Sequence, residues 1–541
     1  MFDVPRELPK PVNEPILGYL PNSAERTALE GALRDLSGST IEIPHRIGGN
    51  DRFEGESFDV RVPHNHRKVL AHARHATETI TQSAIENCLQ VAPAWSALTF
   101  DERARIFMRA ADLLAGPWRK TINAATMLGQ SKNMYQAEID AACELIDFLK
   151  FNVYFGSKLL EQPMSTPGFS NAMELRPLEG FVLAVTPFNF TAIAGNLPTA
   201  AALFGNVVVW KPSENQSLAA YWTMKLFEAA GLPPGVINVV YGNGQPIANA
   251  CLADARLAGV HFTGSTQVFQ SLWQQVGTNI ARYRSYPRLV GETGGKDFVF
   301  VHASADSTAV ATALVRGAYE YQGQKCSAAS RAYVPRSLWP RVRDEMIAMM
   351  DRIVIGDVAD ARTFMGAVIH DRSYKKLHGW LERLRGDTAG AKVLYDRGWS
   401  DKEGYFAGPT LVEVNAPDHA VMKEELFGPL LAVHVYDDTQ WESVASIASE
   451  TSPYALTGAI FSQDRFVVAK LASILRHAAG NFYINDKPTG AVVGQQPFGG
   501  GRGSGTNDKA GSALNLMRWV SPRSIKETFV PPTDPFYSYM R

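Results

Sequence analysis

The sequence predicts an α/β protein of more than one lobe, on three observations. From Gly180 onward, short apolar β-branched runs alternate with helical segments, which is the pattern of βαβ units on a parallel sheet. Ahead of them, residues 78–155 keep a 3.6-residue apolar period, as in Phe107-Met108, Ala111, Leu113-Leu114 and in Ala141-Ala142, Leu145-Ile146, Leu149. Amphipathic helices are therefore expected there. Finally, 541 residues exceed a single hydrophobic core, so two or three lobes are expected.

Composition narrows the class. An apolar content of 45% and a charged content of 20% are those of a soluble, enzyme-sized globular protein. The formal charge of -1 lacks the basic surplus that nucleic acid demands. Four scattered Cys without CxxC spacing give neither a disulfide framework nor a zinc site. No apolar run reaches ~18 residues, so no transmembrane helix is expected. Met1-Phe2-Asp3-Val4-Pro5 has no basic and apolar leader pattern and is not rich in Arg and Ser, so a cytoplasmic location is expected.

Along the chain, residues 1 to 60 are punctuated by Pro and Gly and read as an extended arm with one short helix near Ser23–Leu36. His64, His66, His72 and His75 cluster, but no Cys, Asp or Glu set accompanies them for closed coordination. They read as polar surface, and no metal is expected. Residues 159–178 break the helical pattern and lead into a strand, as an excursion or hairpin leaving the domain.

Four strands follow, at Phe181–Val185, Val207–Trp210, Val236–Val240 and Gly259–Phe262, with a clear helix at Leu218–Ala230. Parallel sheets bind ligands at the loops beyond the carboxyl ends of their strands. Those loops are Pro187-Phe188-Asn189-Phe190, Lys211-Pro212-Ser213-Glu214, Gly242-Asn243-Gly244 and Thr263-Gly264-Ser265-Thr266. Lys211, Ser213 and Glu214 suit either a strand exit with a Ser helix cap or a pair of groups on ribose hydroxyls. Gly264 and Ser265 open a helix, which is either a plain turn or a pyrophosphate site. The Gly-x-Gly reads as a turn. Taken together, the four loops point to a dinucleotide.

The segment Gly323-Gln324-Lys325-Cys326-Ser327-Ala328 carries a thiol without aliphatic neighbours. Cys88, Cys143 and Cys251 sit in apolar helical runs and read as core, whereas Cys326 reads as a nucleophile. Lys325 beside it either supplies charge to the thiolate or diverges. Glu292, in Gly291-Glu292-Thr293-Gly294-Gly295-Lys296, either caps a turn or pairs with Lys296, or serves as the general base of a hydrolytic step. The stretch Asn481–Lys509 is dense in Gly with Phe482, Tyr483 and Phe498 interleaved, as where backbone approaches a ligand.

These motifs, together with Glu424-Glu425-Leu426-Phe427-Gly428-Pro429, resemble the aldehyde dehydrogenase superfamily in kind and order, from about residue 10 to the C-terminus. Within it, Ala137–Phe148, Asn481–Lys487 and the Gly494-Gln495-Gln496-Pro497-Phe498 loop are similar to the 1-pyrroline-5-carboxylate dehydrogenase branch. The resemblance implies a Rossmann-type NAD-binding domain of residues 1–158 and 179–293 and an α/β catalytic domain of residues 294–510. A small β excursion for oligomerisation takes residues 159–178 and 518–541.

It also implies roles. Cys326 would attack an aldehyde, with Asn189 and the Cys326 N–H as oxyanion hole, and Glu292 would activate the water that hydrolyses the thioester. Lys211, Ser213 and Glu214 would face the adenosine ribose, Gly264 and Ser265 the pyrophosphate, and Glu425 with Phe427 the nicotinamide ribose. NAD is the implied cofactor, since a carboxylate at Glu214 repels a ribose 2′-phosphate. The implied substrate is L-glutamate γ-semialdehyde, oxidised to glutamate. Ser327, Gly490 and Ala491 would hold its carboxylate, Phe190 and Phe498 its chain, and Glu144 its ammonium.

Two positions depart from the superfamily pattern. Phe269 stands where many members have Gly, a feature the branch shares, and Ala491 stands where relatives often have Ser. A related carboxylated semialdehyde dehydrogenase is the alternative, and the Gln-Gln-Pro-Phe-Gly-Gly loop argues against it. An acylating relative would lack the base, and an inactive binding protein would lose Cys326, Asn189 or Glu292. The length leaves no room for a proline dehydrogenase barrel of ~250–300 residues. A separate proline dehydrogenase is therefore expected upstream, with transient contact admitted, and residues 159–178 with the C-terminal segment from about Ser521 point to a homodimer or higher homo-oligomer.

Overall fold

Two parallel sheets, joined end to end through a four-residue crossing, place the candidate residues. The structure is a computed structural model and describes residues 8–540. In the first sheet, Arg288–Glu292, Leu257–Thr263, Phe181–Thr186, Val207–Pro212 and Ile237–Val239 lie side by side in that order and run parallel. Their interiors are buried on both faces, which is why they read as continuous apolar runs and not as alternating ones. The chain moves outward from Phe181–Thr186 through Val207–Pro212 to Ile237–Val239, then returns to the opposite side for Leu257–Thr263. That reversal is a topological switch point, and the crevice beyond it is where open sheets hold ligands.

The second sheet runs Ala391–Tyr395, Thr410–Val414, Leu430–Tyr436, Ala329–Pro335, Asp297–Val301, Thr457–Phe461, Asn481–Ile484, parallel except for its first strand. Period-2 alternation sorts its residues: Phe298 and Phe300 enter one core, Val299 and Val301 the other. Between Glu292, the last residue of the first sheet's edge strand, and Asp297, the first of the second sheet, only Thr293–Lys296 intervene.

The helical block is as its period predicts, with helices Glu78–Ala97, Phe100–Ala115, Arg119–Gln130 and Glu144–Lys158. Thr99 and Glu102 close a reciprocal capping box that starts the second of them. The extended-arm expectation for residues 1 to 60 needs correction. The helix Ala24–Gly38 is present, but Ile41–Ile43, His45–Ile47, Asn50–Arg52 and Ser57–Val62 are strands. Arg46 pairs with Val239 at the first sheet's edge, and Ile41–Ile43 and Ser57–Val62 flank Asn65–Arg74. The excursion is not a hairpin on itself. Its strand Phe169–Arg176 pairs antiparallel with Ser521–Thr528, from Phe169 opposite Thr528 to Arg176 opposite Ser521. Cys88, Cys143 and Cys251 are buried free thiols. Among the described residues, no helix is long and apolar enough to cross a membrane.

Candidate active site

Cys326 ends a loop held in an unfavourable conformation from three sides. Tyr321, Gln322 and Gly323 are all left-handed, at φ 51°, 54° and 64°, and the first two lack the freedom of glycine. Such residues cost about 1–3 kcal/mol each and persist only where surroundings over-determine them. Here Gln322 donates to the carbonyls of Ser131 (3.1 Å) and Ala367 (2.8 Å) and accepts from Gly366 N–H. Gln324 accepts from Ile369 N–H at 2.9 Å, and its carbonyl takes the Asn189 side-chain amide at 3.0 Å. Cys326, partly exposed, follows immediately and precedes the strand Ala329–Pro335.

The thiol lines two cavities at once. The first opens along the carboxyl ends of the first sheet, between Lys211, Ser213 and the Gly264–Ser265 turn, and reaches Asn189, Glu425 and Phe427. Ser265 caps the helix Thr266–Thr278. The Lys211 ammonium is lowered by burial, with Glu214 acting against that shift. Glu214 itself is partly exposed, its Oε1 3.7 Å from His75 Nδ1. Glu425 accepts from Gly295 N–H at 3.0 Å, and a Cβ on Gly294 would lie 2.1 Å from its Oε2, so this carboxylate sits against bare backbone. Phe427, left-handed at φ 59°, meets Phe188 edge-on at 5.8 Å.

The second cavity lies on the other side of the thiol and is lined by Glu144, Phe190, Glu292, Ser327, Gly490, Ala491 and Phe498. Ser327 Oγ and Thr489 Oγ1 are 2.8 Å apart. Gly490 is left-handed at φ 98°, which admits glycine without strain. Burial pushes the Glu144 carboxyl well above the usual carboxylate range, with Asp140 adding to it. The Phe190 ring rests on two ammonium groups, Lys132 at 4.2 Å and Lys325 at 6.0 Å. Both lysines reach Asp140, so Lys325 turns away from the thiol and its charge is spent on Asp140 and Glu320.

Burial raises Cys326 well above an ordinary thiol, and Asp297, Glu425 and Glu292 reinforce it. Glu292 is likewise raised by burial, against the Gly500 N–H and the Lys509 charge that lower it. It does not pair with Lys296: its Oε2 accepts from Gly500 N–H at 3.1 Å. Asp297, pushed up to about 8 by burial, accepts from Thr457 N–H at 2.7 Å.

Every candidate catalytic, cofactor-binding and substrate residue lines one of the two cavities except Glu214, which stands beside the first. The histidines do not converge. His64 contacts Ser131 and Asp357, His66 stacks on Tyr405, and His72 meets Asp59. Lys132, Asp140, Asp297 and Lys509 escaped the sequence reading. For Asp140 a signal existed: Glu138, Asp140 and Glu144 interrupt an otherwise apolar helical run, and buried acids demand partners. Lys509 gave none, because Glu292, the acid it acts on, is remote in the chain.

Comparison with known proteins agrees with this geometry. The model of the aldehyde dehydrogenase family matches residues 51–525. The chain is 46% identical over 530 residues to a delta-1-pyrroline-5-carboxylate dehydrogenase, mitochondrial, of Danio rerio, covering 98% of this chain and 95% of that one. It is 48% identical over 530 residues to a probable delta-1-pyrroline-5-carboxylate dehydrogenase of Schizosaccharomyces pombe, covering 97% and 96%. The crystal structure of the Delta-pyrroline-5-carboxylate dehydrogenase from Mycobacterium tuberculosis bound with NAD superposes with a TM-score of 0.96 at 56% identity over 100% of both chains. The cytoplasmic expectation is overturned, since animal relatives are named mitochondrial. It rested on Met1–Pro5, which lie outside the described residues. The α/β architecture, the two cavities and these relatives agree: the chain belongs to the aldehyde dehydrogenase family.

Proposed function

We propose that this protein oxidises L-glutamate γ-semialdehyde, the open form of 1-pyrroline-5-carboxylate, to L-glutamate with NAD, as the second step of proline catabolism. The observation that carries it is the position of Cys326 between a crevice at a topological switch point and a cavity lined by Glu144, Ser327 and Gly490. The crevice suits a dinucleotide: a buried Lys211 beside Glu214 offers donor and acceptor to a ribose, and Glu425 lies against bare glycine backbone. NAD, when bound, supplies the hydride acceptor.

The chain's own residues then have separable tasks. The Cys326 thiol gives up its proton to water in the cavity, Sγ adds to the aldehyde carbon, and charge gathers on one oxygen, which Asn189 and the Cys326 N–H stabilise. After hydride departure a thioester remains on Sγ. Glu292 takes a proton from water, whose oxygen attacks the thioester carbon and expels the Cys326 thiolate. The Gly490 and Ala491 backbone and the Ser327 hydroxyl hold the substrate carboxylate, Phe190 and Phe498 flank its chain, and Glu144 faces its ammonium. Under this reading, residues 1–158 with 179–293 and residues 294–510 are the two working domains. The ribbon of residues 159–178 and 518–541 is the homo-oligomerisation element, and a separate proline dehydrogenase is the upstream partner. NADH formation from 1-pyrroline-5-carboxylate beside succinate semialdehyde tests the assignment. A kcat/KM favouring the former by about a hundredfold or more is expected, and equal values would refute the substrate.

A further inference from the structure

One peptide unit, Gly499–Gly500, is gripped at both ends by opposite charges. Its carbonyl accepts from the Lys509 ammonium at 2.9 Å, and its N–H donates to Glu292 Oε2 at 3.1 Å. The peptide has no freedom to turn. A Cβ on Gly499 would lie 3.0 Å from Glu292 Oε1, and one on Gly500 would meet Leu456 and Ser504 at 2.7 Å. Asn481 fixes the loop further, accepting from Gly499 N–H and donating to Pro497 O, both at 3.1 Å.

Lys509 is an unusual brace. It is left-handed at φ 54°, and its ammonium donates to Gly480 O at 2.8 Å and Asn481 Oδ1 at 3.4 Å besides Gly499 O. All three acceptors are neutral, and among the described residues no carboxylate lies within 4 Å of it. The acid whose charge acts on it is Glu292. Asp508, the other acid acting on Glu292, is turned aside: it accepts from Thr506 Oγ1 and faces Arg518 Nε at 3.4 Å. A neutral brace would hold the same oxygens without the cost of taking an ammonium out of water. The charge therefore needs a use. A peptide with a cation at its carbonyl and a carboxylate at its N–H is polarised along the hydrogen-bond chain, which strengthens both bonds and favours the ionised acid.

We propose that Lys509 is a positioning residue for thioester hydrolysis: through the Gly499–Gly500 peptide it aims an N–H at Glu292 and supplies the positive charge that keeps this side chain a base. The inference rests on the reading of Glu292 as general base.

The test uses the full-length enzyme with NAD, comparing Lys509→Gln, Lys509→Arg and Glu292→Gln. The NADH burst and the turnover that follows it are recorded across pH. Lys509→Gln keeps a donor without the charge. Its burst should stay near one NADH per site, while the acid limb of turnover moves up by about one pH unit and turnover at neutral pH falls about tenfold. Lys509→Arg should leave the limb within a few tenths of a unit of wild type. Should the glutamine variant be insoluble, Lys509→Met reads the same shift. A limb that does not move in the neutral variant, however far activity falls, overturns the proposal and leaves a loop brace. So does an arginine limb that moves as far as the glutamine limb. Glu292→Gln separates the two claims. If it turns over normally, the base reading itself fails, and Lys509 with it. If it stalls after the burst while Lys509→Gln leaves the limb in place, only the Lys509 proposal fails.

Discussion

The Asn189 side-chain amide donates to the carbonyl of Gln324, two residues before Cys326, at 3.0 Å. The hydrogen bond links the loop beyond the central strand of the first sheet to the loop that carries the thiol. One N–H of the amide is thus a tether, and its other N–H is oriented as a consequence. In the proposed mechanism this registers Asn189, as oxyanion donor, to Cys326, as nucleophile, before substrate arrives, as electrostatic preorganisation requires.

Asn189→Ala removes both the tether and the donor. Loss of one oxyanion donor costs about 10²–10³ in kcat. The rate of the NADH burst should fall by that order while the NAD Kd moves less than about threefold. A burst at the wild-type rate would show that Asn189 does not face the developing charge.

Glu292→Gln should stall after one hydride transfer, giving about one NADH per site followed by little further turnover. In the wild type, burial raises the Glu292 carboxyl, so its ionised, basic form is lost as pH falls at a higher pH than for an exposed glutamate. The acid limb of kcat should therefore lie above the ordinary carboxylate range and vanish in the glutamine variant. Loss of the burst itself would assign Glu292 to the placement of Cys326.

Cofactor choice is tested at the exposed edge of the first cavity. Glu214→Ala should weaken NAD and narrow its advantage over NADP, because the carboxylate that repels a 2′-phosphate is gone. Kd values for both cofactors, measured by titration, check this. Equal wild-type affinity for the two would remove Glu214 from the ribose site.

The proposed substrate anchor contains a hydroxyl pair, Ser327 Oγ and Thr489 Oγ1 at 2.8 Å, near an alanine at 491. A hydroxyl donated to a charged acceptor contributes about 1.5–3 kcal/mol, and ~1.4 kcal/mol is tenfold. Ser327→Ala should raise KM for the semialdehyde about tenfold and leave aldehydes without a carboxylate unchanged. Ala491→Ser should lower it, by up to roughly tenfold. An unchanged KM in the serine variant would mean that Thr489 already supplies the missing donor.

Legibility followed the range of the interactions. The strand-end loops could be read because backbone geometry and function coincide within four residues, as in the Ser265 cap. Strand identity in the first sheet was equally plain, since burial on both faces leaves unbroken apolar runs. The strands between Ile41 and Val62 were taken for an arm because they are short and half exposed, and their partners are supplied elsewhere in the fold, by Asn65–Arg74 and Val239. Lys325 was read by its neighbour in sequence, but Asp140, across the cavity, directs its ammonium. The Lys509–Gly499–Gly500–Glu292 connection joins residues more than two hundred apart, and no local pattern announces it.

The central claim is that Cys326 carries the substrate as a thioester between the two cavities. The most direct measurement is mass spectrometry of Glu292→Gln after a single exposure to 1-pyrroline-5-carboxylate and NAD, quenched in acid. The account predicts an added glutamyl group on the peptide that contains Cys326, in an amount matching the NADH formed, and none in a Cys326→Ala double variant. NADH formed without any adduct, or an adduct that persists when Cys326 is replaced, would contradict it.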